Sequence, residues 1–214
     1  MDVIKVSLRT FGLLLVVGVI VEAVVVVLLL RASEPRPRNP IGIPTPPVAA
    51  PVYFAPIGDV PSEETDGLAR HYQGKFGLRI TVLPELPVPV DAVDPDRGQL
   101  IGERLLDALA STEAARQDPH ATVIGLTSLD IYTLGEDWNY AYSLRRDRFA
   151  VVSTARMGDG WFTDPTRRMQ RIRKMVTKNL GVLYYRLPLS DDPGSVLYRS
   201  ILGPQDLDRA SEES

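Results

Sequence analysis

Residues Phe11 to Leu30 read FGLLLVVGVIVEAVVVVLLL, seventeen apolar residues with two glycines and one glutamate. Twenty helical residues at ~1.5 Å rise span the ~30 Å hydrocarbon core of a bilayer. A cleaved signal peptide has a shorter apolar stretch, about 7–15 residues, and ends in a small-x-small site. Here Leu30-Arg31-Ala32 puts leucine at the first of those positions. A single domain of this size also has little room for a core helix that is apolar all round. The run therefore predicts an uncleaved transmembrane helix at residues 11–30, after a tail at 1–10. Glu22 is its one costly residue; it either marks a helix–helix contact or is a single charge tolerated among strong hydrophobes.

The orientation is weakly encoded. Lys5 and Arg9 precede the span, and Arg31, Arg36 and Arg38 follow it, so the basic residues do not choose a side. Glu34 to Pro51 holds seven prolines in eighteen residues, which makes residues 31–51 an extended spacer without packed structure. A long spacer directly after an N-terminal anchor favours an extracytoplasmic domain.

Composition narrows the chemistry of the remainder. The 214-residue chain contains no cysteine and only two histidines, His71 and His120. Disulfides, thiolate zinc sites, a cysteine nucleophile and an imidazole-rich metal site are thereby excluded. A net charge of −3 and pI near 5.5 argue against nucleic acid as a partner.

From Val52 the pattern becomes globular. VYFAPI reads as a short strand, and Pro61-Ser62-Glu63-Glu64 opens a helix that stops at Gly77. LRITVLPEL reads as an alternating strand, followed by a proline-broken stretch. Gly98 to Ala110 is an amphipathic helix with Leu100, Ile101, Leu105, Leu106 and Leu109 on one stripe. ATVIGLTSL reads as a strand buried on both faces. NYAYSL and FAVVSTARM read as neighbouring strands across an Arg145–Arg148 turn, Arg167 to Tyr185 as a long helix, and Pro204–Ala210 as a short one. The order β-α-β-α-β-β-β-α predicts an α/β domain over residues 52–210 with an antiparallel edge, ahead of an acidic tail at 211–214.

Several of these segments carry a resemblance: PIGDVPSEE, FGLRITVLPELPVP, DPDRGQLIGERLLDAL, VIGLTSLDIYTLGEDWNYAYS and FAVVSTARM. From Val52 to about Asp208 the chain resembles the archaemetzincins, small zinc metalloproteases of the metzincin clan. The resemblance implies a metzincin-like mixed twisted sheet, with an antiparallel edge strand packed against long helices. It also implies that Asn139, Tyr140, Ala141 and Tyr142 form the edge strand that pairs with an extended peptide, a contact made by backbone groups.

The family's last long helix carries H-E-x-x-H-x-x-G-x-x-H, in which three histidines hold zinc and the glutamate activates metal-bound water. Anchored on Leu180-Gly181, this chain has Lys178, Asn179, Val182, Tyr185 and Pro188 at the motif's five fixed positions. Neither ligands nor base remain, and the cysteines of the family's structural zinc are absent. Leu197, in Ser195–Tyr198, stands where the family's methionine turn has its methionine. The expectation is a lost zinc site and no cofactor. Val182, Leu183, Tyr184 and Tyr185 are then expected to fill the space that metal and water once used.

Other features read as structural. Adjacent Asp191 and Asp192 suggest a turn more than a metal site, and His71 and His120 suggest surface residues. Asp96-Arg97-Gly98-Gln99 suggests a turn at a helix start. Six cations between Arg167 and Lys178 suggest a solvated face, or else a contact with anionic headgroups. The functional expectation is a membrane-anchored, catalytically inactive binding module with a peptide or protein ligand along the edge strand. The alternatives are a peptidase with a non-standard or partner-supplied site, and a plain tether.

Overall fold

A computed structural model of the chain describes residues 50–136, 139–160 and 164–211. The run Phe11–Leu30, almost all of the proline-rich spacer and residues 212–214 lie outside these limits. Among the described residues no helix is long and apolar enough to cross a membrane.

The chain enters at β1 (Val52–Pro56), followed by α1 (Ser62–Phe76) and β2 (Ile80–Val82). Glu63 and Glu64 occupy the first turn of α1, where carboxylates offset the unpaired amides. Gly77 ends the helix at φ 63°, and its amide donates to the carbonyl of Gln73. Two short strands, β3 (Val93–Asp94) and β4 (Gln99–Ile101), then precede α2 (Gly102–Ala110) and α3 (Glu113–Gln117). Next come β5 (Thr122–Thr127), β6 (Ile131–Tyr132), β7 (Ser143–Arg146) and β8 (Phe149–Ser153). The domain closes with α4 (Pro165–Leu183) and α5 (Pro204–Arg209). Asp164 caps α4 by accepting the amide of Thr166 at 2.9 Å, with Pro165 in the first turn, so the helix starts two residues before the predicted Arg167.

The main sheet has the order β2-β1-β5-β8-β7. Its first four strands are mutually parallel, and β7 runs antiparallel to β8 as the predicted edge. β3, β4 and β6 form a second, three-stranded sheet. Alternate residues of the central strands supply two cores, giving three layers. Phe54, Ile124, Leu126 and Val152 face α1 and α4, through Leu68, Tyr72, Ile172, Val176 and Leu180. Ala55, Ile57, Val123 and Val151 face α2, through Leu105, Leu106 and Leu109. Gly125 permits this second contact: a Cβ there would lie 2.8 Å from Ile57 Cδ1 and 3.0 Å from Leu109 Cδ1.

Three predicted boundaries are corrected. LRITVLPEL pairs as a strand only at Ile80–Val82, because the prolines beyond cannot continue the ladder. The helix predicted from Gly98 begins at Gly102; Gly98 is in the left-handed region, and β4 intervenes. NYAYSL becomes strand only at Ser143, four residues later than the predicted edge at Asn139–Tyr142. The Ala141 amide donates instead to Ile131 at 2.7 Å, which straps this segment to the small sheet.

Candidate ligand-binding cleft

The last two turns of α4 lie beside the sheet's antiparallel edge, and a cavity of about 550 Å³ opens between them. Its wall includes Asn139, Tyr140, Ala141, Tyr142, Arg145 and Lys178. All four residues predicted for peptide contact thus line the cavity, as a loop ahead of the edge strand rather than as the strand itself.

A polar network holds that loop. The carbonyl of Asn139 accepts from Gln99 Nε2 at 2.8 Å and Arg97 Nη2 at 3.1 Å. Gln99 also donates to Asp130 Oδ2 at 2.7 Å, and Arg156 binds the same carboxylate through two nitrogens at 2.6–3.0 Å. The Arg156 guanidinium sits 4.1 Å from the centre of the Tyr140 ring, whose hydroxyl donates to the Leu202 carbonyl at 2.9 Å. The Asp96–Gln99 stretch forms the predicted turn, but it leads into β4 rather than into a helix, and Arg97 and Gln99 steady the loop. Asp94 accepts the amides of Asp96 and Arg97 at 3.1 Å.

On the helix side, Lys178 is only 4% exposed. Its ammonium donates to the carbonyls of Tyr198 and, at 3.3 Å, Arg199. Asn179 is fully buried; its Nδ2 donates to the Met175 carbonyl at 2.8 Å and Ser143 Oγ at 3.1 Å. Its Oδ1 accepts from Arg145 Nη1 at 3.2 Å. Gly181 lets the Ser195–Tyr198 segment close in beneath the helix, for a Cβ there would lie 2.7 Å from Leu197 Cδ2.

Of the five motif positions only Lys178 lines the cavity. Val182 is half-buried against the α1–α4 core, and Pro188 is exposed. Tyr185 is buried edge-on to Phe76 and Tyr184, with ring centres 6.3 Å and 5.0 Å away, and burial pushes its phenol up to about 12. Aromatic packing is thus found at the end of α4, against Phe76 and outside the cavity wall. The expected filling of the cleft is not found, and the cavity beside Lys178 stays open. As a metal site the residues are a poor fit. Val182 and Pro188 carry no donor side chain, and the Lys178 nitrogen spends hydrogens on two carbonyls. The amide of Asn179 is a weak donor already engaged at both ends.

Among the described residues five of the six cations of α4, all but Arg173, have a partner outside the helix, so they do not form a free basic patch. Arg168 pairs with Glu64, Arg171 with Asp159 and Asp208, and Arg167 with Asp159 at 3.4 Å. Lys174 donates to the Leu207 carbonyl at 2.8 Å. Asp192 forms the expected turn by accepting the Gly194 amide at 2.8 Å, and Asp191 pairs with Arg199. His120 is exposed as predicted, whereas His71 is half-buried against Tyr72.

Arg145 is the functional candidate that sequence reading missed. Nothing separates it by spacing from Arg146 and Arg148, which point to Asp107 and to the carbonyls of Ala115, Asp118 and Ala121. Burial and the charge of Arg145 lower the ammonium of Lys178 to about 8 from 10.5. Between these values the unfolded chain holds a proton that the folded chain has released. Folding stability should therefore rise with pH across that window, by roughly 3 kcal/mol in full. Urea midpoints measured at pH 7.5 and 10 should show this gain in the wild type and its loss in Lys178→Met. Identical pH slopes in the two proteins would restore an ordinary lysine.

No family model matches the chain. Over 94 residues it is 34% identical to an archaemetzincin of Methanopyrus kandleri, covering 44% of this chain and 50% of that protein. Over 125 residues it is 26% identical to an archaemetzincin of Methanocaldococcus jannaschii, covering 58% and 65%. The chain thus spans between half and two thirds of the length of these curated relatives. The crystal structure of the Methanopyrus kandleri archaemetzincin superposes with a TM-score of 0.61 at 27% identity, covering 79% of this chain and 92% of that one.

Proposed function

We propose that this archaemetzincin-like chain is a membrane-anchored binding module that has given up zinc-dependent peptide hydrolysis and kept the cleft. One observation carries the reading. Where the family's motif begins with a histidine ligand and a glutamate base, a buried ammonium bonds to two backbone carbonyls and a buried amide bonds to Ser143, Arg145 and Met175. Both side chains are built into the scaffold rather than left to hold metal or activate water. The cleft beside them keeps an edge strand whose outer backbone groups suit pairing with an extended peptide or protein segment. Residues 11–30 anchor the domain and 31–51 space it from the bilayer, on the extracytoplasmic side.

Full-length protein should partition into the detergent phase with its N-terminus intact and carry no stoichiometric zinc by elemental analysis. It should also bind a labelled extended peptide without cleaving it. One tightly held zinc per chain, or turnover of a peptide library, would return the chain to the peptidases. Recovery from the aqueous phase, or a mature N-terminus after Ala32, would remove the anchor.

A further inference from the structure

Most arginines of the domain are neutralised locally. Arg104, Arg116, Arg146, Arg156, Arg167, Arg168, Arg171, Arg199 and Arg209 each have a carboxylate within 4.0 Å. The two cations that face the cleft from either wall do not. Among the described residues Arg145 has no carboxylate partner, and its single side-chain hydrogen bond goes to the neutral Asn179 amide. Among the same residues Lys178, 4% exposed, bonds only to the carbonyls of Tyr198 and Arg199. Both line the same cavity, one from β7 and one from α4.

A buried and a half-buried cation without counter-charge are costly, because each gives up hydration and gains no Coulomb partner. Burial lowers the Arg145 guanidinium from its ordinary value, and burial and Arg145 together lower Lys178. An anion entering the cavity would relieve both. Among the described residues the other charged groups of the wall leave that demand standing: Arg199 is tied to Asp191, and Glu136 is exposed. Tyr140, Ile201 and Leu202 add an apolar margin, which suits an anionic group on an organic body better than a bare inorganic ion.

We propose that the cavity between α4 and the β7 edge is a carboxylate-binding site in which Arg145 and Lys178 supply the positive charge. A planar carboxylate matches the fork of a guanidinium, and the ammonium offers its third hydrogen from the opposite wall. Resting on the binding-module reading, the ligand is the C-terminal carboxylate of an extended peptide laid along β7. A cationic pair then does for a bound terminus what a metal does for a scissile carbonyl, which is to hold an oxygen by charge, without polarising it towards attack.

The test uses full-length protein in mild detergent at pH 7 and three probes: the peptide acetyl-AVTVA with a free C-terminus, the same peptide amidated, and succinate. Calorimetry should show the free acid binding at least tenfold more tightly than the amide. Arg145→Gln and Lys178→Met should each remove that preference, while Arg145→Lys keeps part of it. The acid–amide comparison is made on the wild type and does not depend on any variant folding. Equal binding of acid and amide would overturn the carboxylate site and leave a peptide-binding cleft. Arg145-dependent binding of succinate without either peptide would support the carboxylate site and overturn the peptide reading. No binding of any probe would overturn both.

Discussion

A variant carrying Lys178→His, Asn179→Glu, Val182→His and Pro188→His, which restores the motif's three histidines and its glutamate but keeps Tyr185 at its glycine, is expected to stay inactive and to melt below the wild type. Asn179 is fully buried with both ends of its amide bonded. Glutamate adds a methylene to a closed site and presents an acceptor to the Met175 carbonyl, which now takes the Asn179 amide hydrogen. Arg145 would recover part of that cost. Val182 exchanges contacts with the α1–α4 core for an imidazole with no evident partner. Lys178→His withdraws the donor shared by the Tyr198 and Arg199 carbonyls. Overpacking and broken buried hydrogen bonds each cost ~1–3 kcal/mol, so a total of about 3 kcal/mol or more is expected. For a domain of this length that is a melting point lower by roughly 6–12 °C. Calorimetry with and without zinc, beside a peptide-library assay, measures both parts. A variant that keeps its melting temperature, gains stability with zinc and cleaves peptides would show the cleft to be a metal site waiting only for its ligands.

How much of this was legible differs between fold and site, for physical reasons. The strand Thr122–Thr127 and the helix around Leu105, Leu106 and Leu109 follow from burial periodicity, which is local and strong. The short strands β3, β4 and β6 leave no periodic trace, because two or three residues are too few to show one. They exist because long-range partners, such as the Asp130 carbonyl accepting the Leu100 amide at 2.8 Å, take up their backbone groups. Asn139–Tyr142 alternates like a strand yet is a loop, since tertiary bonds from Arg97, Gln99 and Ile131 outbid the ladder. That no histidine follows His120 was readable from residue identity alone. That a lysine there turns inward onto carbonyls, and that an arginine from another element faces it, depends on three-dimensional placement.

The largest purely structural effect should come from the ion cluster around Arg171. This side chain is 2% exposed on α4. It grips Asp208 on α5 through Nε at 2.8 Å and Nη2 at 2.6 Å, and Asp159 through Nη1 at 2.6 Å. The Met157 carbonyl accepts from Nη1 at 3.0 Å. The two sides of the cluster differ in what they leave behind. Asp159 and Asp208 are 33% and 41% exposed, so Arg171→Met abandons carboxylates that water can reach, at about 1.5–3 kcal/mol. Asp159→Asn with Asp208→Asn abandons a buried guanidinium instead, at about 3–5 kcal/mol. The double variant should therefore be the less stable of the two by urea denaturation at pH 7, and the reverse order would show the cation to be hydrated. Its hydrogen bond to Arg171 holds the Asp208 carboxyl below the usual range. That contribution is present above pH ~4 and lost as pH falls through the folded value, so the gap between wild type and double variant should narrow in acid. The cluster also reaches the cleft. α5, held by Asp208, uses Asp206 to accept the amides of Leu202 and Gly203 at 2.9 Å and 3.2 Å, and the Leu202 carbonyl receives the Tyr140 hydroxyl. Loosening Arg171 should thus slacken the cavity rim before the domain unfolds, and ligand affinity should fall at temperatures where the fold is still intact.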